Sequence, residues 1–166
     1  SKLNSTNNLV HDAGYRQWAV TFVENHDTQY RSASEQLDPI RKDTLAANAY
    51  LLAMPGTPCV FLPHWKAYKS EIKSMIDVRR AAGITNTSTY TNISSGSTLY
   101  RNTVTGTKGK LLVCLGNKAG ASSALGGYTN VLSGYHYAYL LDNSLETAFA
   151  DKSSGTYETT IPVKLS

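Results

Sequence analysis

The chain has 166 residues, of which 41% are hydrophobic and 17% are charged, and this balance indicates a globular protein rather than a disordered one. The net charge of +4 comes from scattered lysines and arginines, so the composition argues against a nucleic-acid-binding protein. No stretch of the sequence approaches the roughly 18 apolar residues of a membrane span, and residues 1–10 lack the apolar core of a signal peptide.

Strand and helix patterns alternate through the first half of the chain. Residues 18–25, WAVTFVEN, are rich in β-branched and aromatic side chains and predict a buried strand. Asp38 followed by Pro39 predicts the start of a helix, with Asp as the N-cap and Pro in the first helical position. The apolar face that follows predicts that this helix ends at residues 54–56, Met-Pro-Gly.

A second strand and helix follow. Residues 57–65, TPCVFLPHW, predict a short apolar strand, and Ser70 is placed to cap a helix with Ile72 and Met75 on its buried side. Gly83 lies where a glycine commonly ends a helix. The order β-α-β-α is typical of parallel sheet, whose strands are normally covered on both faces. Two such units therefore predict part of a larger α/β sheet or barrel.

From about residue 86 the pattern changes to short strands separated by glycine and serine turns. Residues 110–117, KLLVCLGN, predict a central strand, and residues 134–142, GYHYAYLLD, predict a further strand. Residues 157–165 alternate apolar and polar side chains, and Pro162 favours the edge of the sheet for this last strand. The second half is therefore predicted to be a small antiparallel β domain.

The two cysteines, Cys59 and Cys114, both lie within apolar runs. This environment favours buried free thiols over a disulfide. Neither cysteine lies in a spacing typical of metal ligands, and we predict no metal site in this chain.

The stretch FVENHDT, residues 22–28, resembles the fourth signature of the α-amylase family of glycoside hydrolases, F-V-D-N-H-D, and departs from it at Glu24. Two downstream segments agree with the family in order and spacing. Residues 55–65 resemble the last barrel strand of plant-type α-amylases, P-G-T-P-C-I-F-Y-D-H-F, with Pro63 in place of the acidic residue. Residues 69–84, KSEIKSMIDVRRAAGI, resemble the final barrel helix of the same enzymes.

The resemblance covers about residues 15–85 and implies the fold class, which is α/β plus all-β. Residues 1–85 are expected to form the C-terminal part of a TIM (β/α)₈ barrel, with its last two strands and helices. Residues 86–166 are expected to form the small antiparallel β-sheet or sandwich domain that follows the barrel in this family.

The resemblance also implies a site at the end of the first predicted strand. In the family, the residue matching Asp27 is an essential carboxylate that binds hydroxyls of the sugar at the cleavage point and helps to stabilise the transition state, so Asp27 is the predicted catalytic residue. His26 is the predicted substrate-binding residue, because its counterpart donates to a hydroxyl of the same sugar. Asn25 is expected to orient the turn, and Glu24 to give structural support beside the cleft. The alternative interpretation is a polar turn in which Asp27 caps local amides.

For four further residues the sequence predicts either two alternative roles or none. His64 and Trp65 end the second predicted strand, where they either contact sugar or pack against the protein. His11 and His136 have no partners in the sequence, and no role is predicted for them.

The resemblance implies an enzyme whose other catalytic groups are missing from this chain. A retaining glycosidase needs a nucleophile and a general acid about 5 Å apart, and in this family both lie on earlier barrel strands. We therefore expect the C-terminal portion of an enzyme that hydrolyses internal α-1,4-glucosidic bonds of starch or glycogen with retention. The isolated chain is expected to be inactive.

Partners, cofactors and location follow from the same resemblance. The expected partners are an α-glucan substrate and the remainder of the catalytic barrel. No cofactor is expected in this chain, and calcium, which many family members bind, would belong to the missing part of the parent. A secreted or cell-surface location is expected because starch-degrading members of the family are often exported.

Two other interpretations stay open. In the first, the chain is a non-catalytic carbohydrate-binding or structural β module with a barrel remnant, and Tyr135, Tyr137 and Tyr139 share a sheet face that is either a glycan platform or packed. In the second, the chain pairs with a separate piece that carries the rest of the barrel, and its exposed apolar faces drive association.

Overall fold

The computed structural model of the chain describes residues 3, 8–35, 39–122 and 125–145. The predicted last strand, residues 157–165, and the predicted N-cap Asp38 lie outside these ranges. Helices dominate the described residues before residue 85, and strands dominate those after it.

The described residues before residue 85 include two short strands and three α-helices. In chain order these are β1 (Val20–Thr21), α1 (Thr44–Ala53), β2 (Thr57–Pro58), α2 (Leu62–Ala67) and α3 (Lys69–Ala82), with 3₁₀ turns at Leu9–His11 and Arg16–Trp18. β1 and β2 pair in parallel, with Val20 opposite Thr57. The predicted order of strand, helix, strand and helix is observed, with one helix that was not predicted, α2, between β2 and α3.

The first predicted strand is much longer than the observed one. β1 covers only two residues of the predicted range 18–25, and the side chains of Trp18, Val20 and Phe22 are exposed rather than buried, at 76%, 65% and 53%. Within the described chain, β1 pairs with β2 alone and its other edge has no partner strand. The prediction of a buried strand is wrong here because no described element covers these apolar side chains.

The second predicted strand, residues 57–65, is also too long. It ends at Pro58, and from Leu62 the chain is helical. Pro63 lies in the first turn of α2, where the N–H that proline lacks has no partner within the helix. The proline thus favours a helix start at the point where the apolar pattern predicts strand.

The two long helices lie close to their predicted ranges. α1 begins at Thr44 rather than at Pro39 and ends at Ala53, directly before the predicted stop at residues 54–56. Ser70 lies inside α3 and is not its cap, since the helix already begins at Lys69.

The C-terminus of α3 is as predicted. Gly83 adopts the left-handed conformation with φ 69°, and its N–H donates to the carbonyls of Arg79 and Arg80. Glycine reaches this conformation without steric cost, which explains why the helix ends there.

The described residues after residue 85 form a five-stranded antiparallel sheet. Its strands are β3 (Thr89–Ser95), β4 (Tyr100–Thr105), β5 (Lys110–Leu115), β6 (Tyr128–Gly134) and β7 (Tyr137–Asp142), in the order β3-β4-β5-β7-β6. β5 is the central strand, as residues 110–117 predict. Neither cysteine forms a disulfide: Cys114 is buried in β5, whereas Cys59 is exposed. The predicted burial of Cys59 is wrong because the short strand β2 ends one residue before it.

The helices α1 and α3 pack on one face of this sheet. Along β5, Leu111, Val113 and Leu115 join the main core with the helices, whereas Leu112 and Cys114 lie in a smaller cluster on the opposite face. Successive side chains of a strand point to opposite faces, so a continuous apolar run is buried on both sides.

The predicted domain boundary between residues 85 and 86 falls between α3 and β3. Apolar residues from both sides of this boundary share the main core. The division into residues 1–85 and 86–166 stays a prediction.

One buried cation joins α3 to the end of α1. The guanidinium of Arg79 donates to the carbonyl oxygens of Leu52 (2.8 Å), Met54 (2.6 Å) and Gly56 (3.0 Å). Arg79 is buried, and burial lowers the pKa of its guanidinium, although an arginine side chain stays protonated in proteins. It satisfies carbonyls that the end of a helix leaves without intrahelical partners.

We expect Arg79→Met to lower the free energy of unfolding by about 2–4 kcal/mol, because it leaves three buried carbonyl oxygens without donors. Arg80→Met is the matched control on the exposed side of the same helix, and we expect a change within about 0.5 kcal/mol. Urea denaturation of both variants measures the difference. Equal effects would contradict a structural role for Arg79.

His11 joins the helical part to the first strand of the sheet. Its Nε2 lies 3.1 Å from the hydroxyl of Tyr50 on α1, and its Nδ1 lies 2.8 Å from the hydroxyl of Tyr90 on β3. Burial, and secondarily the nearby Arg16 guanidinium, lowers the pKa of His11 below its ordinary value of 6.5. The sequence offered no partner for this histidine because both tyrosines are far from it along the chain.

Because the pKa of His11 is lower in the folded chain, the unfolded chain binds the proton first as the pH falls. We expect the free energy of unfolding to decrease from about pH 6.5 down to the folded pKa and then to level off. The His11 ring should titrate with a midpoint below 6.5 in an NMR titration, and His11→Gln should remove this part of the pH dependence. A midpoint at or above 6.5 would contradict the structure.

Candidate functional site

The loop at residues 25–28 follows β1 closely and is organised by Asn25. The Oδ1 of Asn25 accepts hydrogen bonds from the backbone N–H of Asp27 (2.9 Å) and of Thr28 (3.1 Å). The backbone N–H of Asn25 donates in turn to the hydroxyl of Thr28 at 3.1 Å. These contacts form an Asx turn. Asn25 therefore orients the turn, as the sequence predicts.

His26 and Asp27 lie side by side on the outside of this turn. The Nε2 of His26 is 3.3 Å from Oδ1 of Asp27, and their side chains are 76% and 69% exposed. A carboxylate accepts hydrogen bonds and a histidine ring N–H donates them, so the pair presents both functions to a ligand. The carboxylate of Asp27 receives no hydrogen bond from a local amide among the contacts described, unlike the side chain of Asn25.

Arg31 supplies a positive charge behind this pair. Its Nη2 donates to the carbonyl of His26 at 2.6 Å and lies 3.9 Å from Oδ1 of Asp27, while its Nη1 forms an ion pair with Glu35 at 2.9 Å. The sequence interpretation missed Arg31. The spacing of four residues between Asp27 and Arg31 was the available signal, but such a spacing predicts contact only within a helix.

Glu24 and His64 form a buried pair beneath the loop. The Oε2 of Glu24 is 2.5 Å from the Nε2 of His64, and both side chains are less than a tenth exposed. This placement agrees with the structural support predicted for Glu24. Of the two roles left open for His64, the structure favours packing, because its ring is enclosed by the protein. Trp65 packs against the main core while partly buried.

Two kinds of feature are missing from the part of the chain that the structure describes. Over those residues, no helix combines the length and apolar character that crossing a membrane requires. Over the same residues, no three His, Cys, Asp or Glu side chains converge as ligands for a metal ion.

The tyrosines of residues 134–142 do not form a platform. Tyr137 and Tyr139 are buried in the main core, whereas Tyr135 lies in the turn between β6 and β7, where its exposed ring stacks on His136 at 3.8 Å. The shared face predicted for Tyr135 is wrong because the strand begins only at Tyr137. His136 also contacts Asp43, with 2.6 Å between Nδ1 and Oδ1.

An apolar cavity of about 460 Å³ lies beside β1. Its lining includes Val10, Thr21, Val23 and Met54. The hydroxyl of Thr21 is buried and has no hydrogen-bond partner among the described residues. The apolar surface around β1 is therefore uncovered, and one buried polar group beside it, the Thr21 hydroxyl, has no hydrogen-bond partner among the described residues.

No family model matches the chain. The chain is 34% identical over 124 residues to the α-amylase type B isozyme of Hordeum vulgare, and the match covers 72% of this chain and 77% of that protein. It is 40% identical over 116 residues to the glucan 1,4-α-maltotetraohydrolase of Stutzerimonas stutzeri. That match covers 66% of this chain but only 21% of that enzyme.

Among solved structures, the chain is similar to a variant of the amylase AmyP in complex with maltotriose. The TM-score is 0.54 at 11% identity, and the match covers 74% of this chain and 40% of that chain. At this identity the likeness concerns the fold alone. Together with the observed five-stranded antiparallel sheet, it supports the predicted β half.

We expect Asn25→Ala to shift the backbone amide resonances of Asp27 and Thr28 strongly, because both amides lose the oxygen that accepts their hydrogen bonds. Asn25→Asp keeps an acceptor oxygen in that place and should leave the turn largely intact. A ¹H–¹⁵N correlation spectrum of each variant measures the shifts. Similar spectra for the two variants would contradict the role of Asn25 in the turn.

Proposed function

Because the chain belongs to the α-amylase family, we propose that it is the C-terminal portion of a glycoside hydrolase that cleaves internal α-1,4-glucosidic bonds of starch or glycogen with retention. The observation that carries the proposal is the exposed pair of His26 and Asp27 on the ordered turn after β1. This pair lies in the stretch that resembles a family signature, and its side chains are free to meet a sugar.

Asp27 and His26 have distinct roles in the proposed reaction. The carboxylate of Asp27 accepts hydrogen bonds from hydroxyls of the sugar at the cleavage point and helps to hold the ring in the distorted geometry of the transition state. The ring N–H of His26 donates to a hydroxyl of the same sugar. The side chain of Asn25 holds the turn that carries His26 and Asp27 in one conformation. Both groups are therefore in position before the sugar binds.

The nucleophile and the general acid come from the remainder of the barrel. Retention requires two carboxyl groups about 5 Å apart on either side of the bond that breaks. In the same region of the chain, Glu24 is buried against His64, and Glu35 is paired with Arg31. Glu24 is therefore not available for that chemistry, and we propose that the isolated chain is inactive because the family's nucleophile and general acid lie on earlier barrel strands.

The surface around β1 supports the proposal of a larger barrel. Trp18, Val20 and Phe22 are exposed, β1 has one unpaired edge within the described chain, and the apolar cavity lies beside it. Parallel strands are normally paired and covered on both faces. The chain also spans only about a fifth of the length of the maltotetraohydrolase that it matches. We propose that earlier barrel units cover this surface in the parent.

Three further properties are proposed from the family. The substrate is an α-glucan, in line with the maltotriose bound to the similar amylase. The parent is secreted or lies at the cell surface. Calcium, where the parent binds it, is held by the remainder of the barrel and not by this chain.

We expect the isolated 166-residue chain to release no reducing ends from soluble starch, and Asp27→Asn to behave in the same way. In a parent enzyme that contains this chain, we expect Asp27→Asn to lower kcat by about 10²–10³, because a contact made in the transition state is lost. Asp77→Asn, on the exposed surface of α3, is the control and should leave kcat unchanged.

Turnover by the isolated chain that Asp27→Asn abolishes would show that the chain holds its own nucleophile and acid. Unchanged kcat in the parent variant would remove Asp27 from the catalytic site.

A further inference from the structure

The loop that carries His26 and Asp27 begins after the strand pairing has ended. The last backbone bond described between the two short strands runs from the N–H of Cys59 to the carbonyl of Thr21 at 2.7 Å. Glu24 lies three residues further on, and its carboxylate is buried. We propose that Glu24, His64 and Asn48 are positioning residues that hold this loop in place, an inference that rests on the proposed function for what the loop does.

The carboxylate of Glu24 uses both of its oxygens. Oε1 accepts a hydrogen bond from the backbone N–H of Ile40 at 3.1 Å, and Oε2 is 2.5 Å from the Nε2 of His64. Ile40 belongs to the segment that leads into α1, and His64 belongs to α2. One side chain therefore connects the end of the first strand region to two other segments of the fold.

Asn48 determines which ring nitrogen of His64 carries the proton. The Nδ2 of Asn48 donates to the carbonyl of Thr44 at 2.8 Å and lies 3.1 Å from the Nδ1 of His64. A donor at that position makes Nδ1 the acceptor, so the proton of the neutral ring is on Nε2, where it is donated to Glu24. The hydrogen bonds run in one direction, from Asn48 through His64 to Glu24.

The energetics favour positioning over general stabilisation. Placing a carboxylate in the protein interior costs free energy that its hydrogen bonds only partly offset, so a buried charged network is a poor source of net stability. A network of directed hydrogen bonds does, however, specify one arrangement of the segments it joins. Glu24 is separated from His26 by one residue, and so its position sets the place from which the turn projects His26 and Asp27.

The proposal is tested by ¹⁵N relaxation of the full 166-residue chain and of Glu24→Gln. The glutamine amide places an N–H donor opposite either the Ile40 N–H or the His64 ring N–H, so one of the two contacts is lost. The expected backbone order parameters at residues 25–28 are about 0.85 in the unchanged chain and below roughly 0.6 in the variant. Glu71→Gln, the same change on α3 outside this network, should leave the loop ordered.

The unchanged chain should also show His64 as the Nε2–H tautomer in a long-range ¹H–¹⁵N spectrum of the imidazole rings. His64→Gln keeps a donor and an acceptor and should preserve the order of the loop, whereas His64→Phe should lose it.

Four results would overturn the proposal: an Nδ1–H tautomer, a loop that stays ordered in Glu24→Gln, equal behaviour of the two His64 variants, or an equal loss of order at Leu112 in the central strand. None of these measurements uses glucan. A failed starch assay would therefore leave them unaffected.

Discussion

The end of α1 is the constraint on which the rest of the structure depends. Its last carbonyls and the turn that follows are buried, and the guanidinium of Arg79 is the group that satisfies them. Without that donor, the turn at residues 54–56 would hold bare carbonyl oxygens in an apolar core, which is costly. Because β2 begins directly after this turn, the same contact places the parallel strand pair relative to α3.

The helix α1 makes hydrogen bonds both to the antiparallel sheet and to the segment beneath the candidate site. Towards the sheet, the carbonyl of Ala49 accepts a hydrogen bond from the buried hydroxyl of Tyr139 on β7 at 2.5 Å. Towards the loop, Asn48 contacts His64, which in turn contacts Glu24. Two neighbouring residues of α1, Asn48 and Ala49, therefore connect this helix to the candidate site and to the antiparallel sheet.

The candidate site combines two exposed side chains, His26 and Asp27, with a buried polar pair, Glu24 and His64. His26 and Asp27 are open to solvent, as groups that bind a sugar need to be, and their turn is closed by the side chain of Asn25. Binding and catalytic residues are often found on loops that a rigid scaffold holds in position. Here the scaffold beneath the loop is polar, since Glu24 and His64 lie where apolar side chains usually pack.

Several elements could be predicted because they depend on neighbours in sequence. The end of α1 before residues 54–56, the left-handed Gly83 and the central strand at residues 110–117 all follow from local backbone preferences or from a long apolar run. The turn around Asn25 belongs to the same class, because the asparagine side chain contacts amides two and three residues away. In each case the group that decides the structure is close along the chain.

Other features were decided by tertiary structure alone. The apolar pattern of residues 18–25 predicts a strand, but whether such a strand is buried depends on what covers it, and no described part of this chain does so. The sequence also gave no sign that His64 meets Glu24, forty residues earlier, or that Arg79 reaches the carbonyls of α1. The sequence by itself determined α1, α3, the central strand and the residues of the candidate loop, but not α2. Tertiary structure decided the burial and the pairing of polar groups, because those depend on segments far apart in the chain.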